Sequence, residues 1–227
     1  MTLSLFDQFA SPVFLTVPLV ILALIIPWFM YPVPSTQWQG GRALNLLSWL
    51  FMTLAKQMII PINIKGRKWA LILLSLLTLL LTLNMLGTLP YTFTPTTQLC
   101  VSLGLAFPLW LATVLMGLRH HPLRTIAHLV PESTPSPLIP ALIAIETISL
   151  LVRPLALGVR LAANLTAGHM ILQMIASTAL SLLCAVSPGG LMVVVILYAL
   201  TLLELMVAAI QAYVFVLLLS LYLQENV

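Results

Sequence analysis

Charge is what this chain has least of. Of its 227 residues, 6% are Asp, Glu, Lys or Arg and 61% are hydrophobic, whereas soluble domains carry about 25% charged residues. That scarcity excludes an ordinary water-facing surface and marks an integral membrane protein. Cysteine is also scarce: Cys100 and Cys184 lie far apart within apolar runs, which excludes a disulfide framework and reads as two small buried hydrophobes. No Walker motif, Gly-rich nucleotide loop or Ser-His-Asp arrangement is present, so the chain by itself neither makes nor breaks ATP, and no cofactor is expected. The net charge of +4 is too thinly spread for a nucleic-acid patch. His120, His121 and His128 sit in a Pro-rich loop with no carboxylate or Cys ligand set to complete them, so no metal site is expected there.

What the chain does have is long apolar runs. A membrane β-barrel would show roughly 10-residue alternating segments; here the runs are continuous and Leu-rich, so the expected class is an all-α integral membrane protein. About five membrane-embedded helices are expected, two of them long, strongly tilted and C-terminal, plus one interfacial amphipathic helix. The boundaries fall within one membrane domain over 1–227. Residues 1–35 hold an N-terminal transmembrane helix from about 13 to 30. The stretch before it lacks a basic run and carries Asp7, and so is expected to belong to the mature protein. Residues 42–62 mix Arg42, Asn45, Ser48, Lys56 and Gln57 with Leu, Trp and Phe, a composition suited to the interface. Residues 69–118 form a helical hairpin, with spans at 69–89 and 99–118 parted by the turn in "GTLPYTFTPTT".

The last part, 137–223, is a long tilted hairpin. Between 138 and 187 some fifty residues of helix would run for about 75 Å, against ~30 Å of hydrocarbon. Either a hidden turn divides this stretch or one long helix lies strongly tilted. The lack of any strong breaker before "SPGG" at 187–190 favours the second. Arg42, Lys56, Lys65, Arg67, Lys68, Arg119 and Arg124 all fall on one side if residues 42–62 lie on the surface. The positive-inside rule then places the N-terminus outside and the C-terminus inside.

Within the two long helices the ionisable side chains are Glu146, Arg153, Arg160, His169 and Glu204, with Asn164, Gln173 and Gln211 adding polarity. An arginine at bilayer depth costs ~2.5–3.5 kcal/mol on insertion scales and far more in simulations. Glu146, Arg153 and Arg160 recur every seven residues, each about 20° from the last round a 3.6-residue helix, so they form one stripe. Glu204 and Gln211 share that spacing. His169 stands nine residues beyond Arg160, about half a turn round the axis, and faces nearly the opposite way. Buried Arg–Glu pairs that merely hold helices together explain one pair. Five ionisable groups on several faces point instead to an ion or proton pathway.

Small residues gather near two of these positions: Gly158, Ala162, Ala163, Ala167 and Gly168 around Arg160, and Ala208, Ala209 and Ala212 around Gln211. They allow close helix approach in lipid, either within this chain or along a smooth face past which another protein's helices move. "NLT" at 164–166 matches a glycosylation acceptor but lies at membrane depth. A proton-coupled secondary transporter and a purely structural assembly subunit are the rival readings. The first lacks the internal repeat and interrupted short helices that transporters show. The second needs no ionisable residues on several faces.

"ALGVRLAANLTAGH", "LLELMVAAIQAYVF", "LPYTFTPTTQL" and "PLIPALIAIETISLLVRPLAL" resemble the subunit a family of F-type ATP synthases in its animal mitochondrial form, over essentially the whole chain. The resemblance implies a stator beside a rotating ring of subunit c hairpins, with other membrane and peripheral-stalk subunits, membrane lipids and protons as the remaining partners. It implies the mitochondrial inner membrane, with the N-terminus toward the intermembrane space and the C-terminus toward the matrix. It assigns the essential arginine to Arg160, the proton inlet to His169 and Glu204, the glutamine of the last helix to Gln211, and the opposite half-channel to Glu146. Asn164 joins the proton-translocating set, and Gly158, Ala163, Ala167, Ala208 and Ala212 the rotor-facing surface. Bacterial relatives carry an acidic residue at the His169 position and a histidine at the Glu204 position. Arg153 has no firm counterpart.

Overall fold

The computed structural model describes residues 9–10, 13–14, 17–30, 42–59, 68–89, 92–120, 122, 139–185 and 189–226. Lys65, Arg67, Arg124, His121 and His128, used above for orientation and metal binding, lie outside them. Two two-residue strands, β1 (Val13–Phe14) and β2 (Val17–Pro18), pair antiparallel before α1 (Leu19–Met30). The first helix therefore begins later than the apolar run suggests. Pro18 directly precedes it, a place where a missing N–H costs little. There follow α2 (Arg42–Ile59), α3 (Ala70–Gly87), a single 3₁₀ turn (Pro95–Thr97), α4 (Leu99–His120), α5 (Ile139–Cys184) and α6 (Gly189–Asn226).

Apart from that short strand pair the protein is an all-α membrane protein, and α3, α4, α5 and α6 are long and apolar enough to cross a membrane. Among the described residues four helices are of that kind. At 12 residues, α1 extends about 18 Å, short of the hydrocarbon thickness. The question left open over 138–187 is settled: α5 runs unbroken for 46 residues, about 69 Å, with no hidden turn. Pro154 lies inside it, as prolines can in membrane helices where neighbouring groups satisfy the freed carbonyl. On α2 the side chains of Asn45, Ser48, Lys56 and Gln57 are exposed together with those of Leu46, Trp49 and Met52, the mixed surface of an interfacial helix.

Hydroxyls on these helices are satisfied locally. Ser75, Thr147, Ser177, Thr201 and Ser220 each donate to the carbonyl three residues back, so none needs water to be tolerated in an apolar setting.

The described residues gather into two compact units. The first takes in 1–30, 78–102 and 160–214. Its core combines Leu80, Leu83 and Asn84 of α3 with Leu161, Ala162 and Leu165 of α5 and Ala208 and Ala212 of α6. The second takes in 31–77, 103–159 and 215–227, with Leu73 and Leu77 of α3, Trp110 and Thr113 of α4, Leu157 of α5, and Phe215, Val216, Leu219 and Leu223 of α6 buried.

The α3–α4 connection in the first unit is more than a turn. Thr94, Pro95, Thr96 and Thr97 are buried. Thr97 Oγ1 donates to the Thr94 carbonyl at 2.7 Å, and the two threonine hydroxyls lie 3.0 Å apart. Gly87, the last residue of α3, meets this connection so closely that an added Cβ would stand 2.6 Å from Thr94 Cγ2. Gly87→Ala is therefore expected to destabilise the protein by about 1–3 kcal/mol, the usual cost of overpacking. Adding Thr94→Ser, which deletes the colliding methyl and keeps the hydroxyl, should restore much of that loss in thermal unfolding. A double variant no more stable than Gly87→Ala would refute the account.

Candidate functional site

In the first unit, α5 and α6 meet through their polar side chains. Asn164 Nδ2 donates to Gln211 Oε1 at 2.9 Å, and His169 Nδ1 stands 3.6 Å from Glu204 Oε1. As α5 advances five residues, α6 retreats seven, the relation expected of antiparallel helices. The seven-residue spacing of Glu204 and Gln211 puts both on one buried face; each is only 6% exposed. At 3.6 Å the His169–Glu204 contact is an ion-pair distance rather than a hydrogen bond, and it is charged on both sides only when the imidazole is protonated.

Two further contacts shape this face. Asn84 Nδ2 of α3 donates to the Ala208 carbonyl at 3.2 Å, between the Glu204 and Gln211 turns. At Gly168, an added Cβ would lie 2.9 Å from Glu204 Oε1, so the missing side chain is the space the carboxylate occupies. Glu204 Oε1, His169 Nε2 and Gln173 Oε1 are buried without a hydrogen bond among the described residues. These groups keep spare capacity for water or a transferring proton.

The other side of α5 differs. Arg160, Ala163, Asn164 and Ala167 are exposed, while Leu161, Ala162 and Leu165 between them are buried. The spacing of three and four places the exposed set on one face. Arg160 makes no hydrogen bond or ion pair with another described residue. Half a turn away, His169 points inward to Glu204, as the nine-residue spacing predicts.

In the second unit Arg153 Nη1 donates to Glu225 Oε2 at 2.8 Å, and Nη2 lies 3.8 Å from Glu146 Oε1. Its guanidinium carbon is 5.4 Å from the centre of the Tyr222 ring.

The family described as ATP synthase A chain matches residues 13–224. The chain belongs to that family. It is 58% identical over 227 residues to the ATP synthase F(0) complex subunit a of Salmo salar, covering the whole of both chains. The subunit of the same name from Struthio camelus is 58% identical and that from Scyliorhinus canicula 55%, again over the full length of each.

In this ATP synthase A chain the small residues near Arg160 and Gln211 divide by burial. Ala208 and Ala212 are fully buried and Gly158 is buried, so these three pack within the chain; Ala163 and Ala167 stay outward. The reason is close helix approach: a small Ala208 lets Asn84 reach its carbonyl. Sequence reasoning also passed over Glu225, which lies two residues beyond the expected end of the last helix, and the space at Gly168. A carboxylate so near the end of an apolar helix was the available signal for Glu225. In the sequence Gly168 stood out only as one of the small residues near Arg160, not as room for a carboxylate.

Gly168→Ala is expected to push the Glu204 carboxylate away from His169 and lower ATP synthesis by the assembled complex about tenfold, equivalent to about 1.4 kcal/mol. Pairing it with Glu204→Asp, shorter by one methylene, should recover part of that loss. Wild-type synthesis in the single variant would show that the close approach is unimportant.

Proposed function

We propose that this chain is the proton-conducting stator of the ATP synthase membrane sector, working as one membrane domain in the mitochondrial inner membrane. Its N-terminus faces the intermembrane space and its C-terminus the matrix. It is not catalytic by itself. Its partners are a ring of subunit c hairpins, each with a membrane-buried carboxylate, together with the other membrane and peripheral-stalk subunits. Family membership leaves the transporter reading without support.

The observation that carries the reading is the two-sidedness of α5. Arg160 is exposed on one face without a partner among the described residues, while on the opposite face His169 meets the buried Glu204. An arginine in lipid needs a counter-charge, and a passing ring carboxylate supplies one. That carboxylate travels protonated where it faces lipid, because desolvation disfavours its charged form. Beside Arg160, a permanent cation, it is stabilised ionised and gives up its proton.

In this mechanism protons enter from the intermembrane space through Glu204 and His169, with Asn164 and Gln211 tying the two helices together beside the path. They load the ring, travel almost a full turn and leave near Glu146. Arg160 stands between the two water paths, so no proton crosses without rotation. Each elementary charge moved releases ~2.3 kcal/mol per 100 mV.

Arg160→Ala is expected to lower coupled ATP synthesis by roughly 10²-fold or more, the scale of losing a charge-stabilising group, while passive proton leak through the vesicle membrane rises. Arg160→Lys should also fail, because a buried ammonium can deprotonate and lacks the planar fork. ATP synthesis and passive flux measured on reconstituted vesicles decide the matter; coupled synthesis at the wild-type rate in either variant refutes the proposal. Glu204→Gln should slow proton entry, and an unchanged flux at saturating driving force would remove Glu204 from the inlet.

A further inference from the structure

Arg153 of α5 stands between two carboxylates and over one aromatic ring, in a cluster separate from the Glu204–His169 pair. Helical side chains lean toward the N-terminus of their helix, so Arg153 reaches back along its own face toward Glu146, seven residues earlier. Glu225 belongs to the last turn of α6, an end where the helix dipole disfavours an anion. A charge-assisted bond of 2.8 Å to the guanidinium offsets that cost. Tyr222, three residues before Glu225 and so on the same side of α6, presents its ring to the same guanidinium.

We propose that Arg153 is a positioning residue for proton exit: held at the end of α6 by Glu225 and Tyr222, it sets the charge beside Glu146. The inference rests on the reading above that protons leave near Glu146. One guanidinium serves two carboxylates unequally. The short bond goes to Glu225, and Glu146 receives an ion pair of 3.8 Å. Glu146 is thereby steadied by a cation without being locked into a bidentate pair. The three side chains are 29%, 34% and 49% exposed for Arg153, Glu146 and Glu225, so the cluster is open at the surface of the chain. Among the described residues its charged and titratable members are Glu146 and Arg153 on α5, and Tyr222 and Glu225 on α6.

The test uses the intact synthase in inverted vesicles, with proton flux followed while only the pH of the matrix-side medium is varied. Glu146→Gln examines the underlying reading. Flux should fall at least about tenfold, and unchanged flux overturns both the exit role of Glu146 and the inference built on it. With that reading standing, Arg153→Gln removes the cation beside Glu146, and the flux profile should move to higher matrix-side pH. Glu225→Gln removes the competing anion and leaves the guanidinium to Glu146, so the profile should move to lower pH. Each displacement should be about half a pH unit or more, and Arg153→Lys should stay nearer the wild type.

A role confined to bridging the helices would slow both variants without displacing either profile. Displacements of the same sign, or none, in assembled complexes overturn the inference. If Arg153→Gln fails to assemble, Glu225→Gln decides alone: a move to lower pH supports the inference, and a stationary profile overturns it.

Discussion

A charge carried into lipid has to be met by another group, and the arrangement of α5 and α6 follows from how their few charges are met. Hydrocarbon offers no water to screen an ion, so each charged side chain finds a partner or faces a polar path. Glu204 is met by His169 and Arg153 by Glu225 and Glu146. The neutral amides of Asn164 and Gln211 satisfy one another. Arg160 alone among the ionisable residues of α5 is left without a partner among the described residues. On the reading proposed above, a passing ring carboxylate supplies its answering charge.

The same rule explains why α5 can serve two purposes at once. A helix offers separate faces at no extra length, and half a turn parts Arg160 from His169. Small residues follow the division. Ala208 and Ala212 are spent inside the chain, where they let α3 and α5 come close to α6. Ala163 and Ala167 remain outward beside Arg160. The His169–Glu204 contact lies on the face opposite Arg160, while the Asn164–Gln211 bond joins α5 to α6 from the arginine's own side.

Much of this was legible in the residues. Seven-residue and nine-residue spacings are geometric facts about any α-helix, so the shared face of Glu204 and Gln211 and the opposition of Arg160 and His169 followed once helicity was granted. The length of α5 was legible too, because fifty residues without a breaker leave few alternatives. What could not be read was which small residues face inward. Along α6 nearly every residue is apolar, so hydrophobicity carries no periodic signal there; Phe215, Val216, Leu219 and Leu223 are buried while Leu202, Leu203 and Met206 are exposed. The start of α1 was misjudged for a related reason: an apolar run from residue 13 does not distinguish strand from helix, and the pairing of β1 with β2 decides it.

By itself the sequence determined that this chain is a helical membrane protein, which positions bear charge in its two long helices, and how those positions are phased round each axis. These are consequences of composition and of the fixed 3.6-residue turn. Only the tertiary structure decided which charges meet: that His169 finds Glu204, that Arg153 is shared by Glu146 and Glu225, that Gly168 leaves room for a carboxylate, and that Arg160 is left facing outward. The pairings between α5 and α6 depend on the register of residues far apart in the chain, and no spacing within a single helix encodes that register.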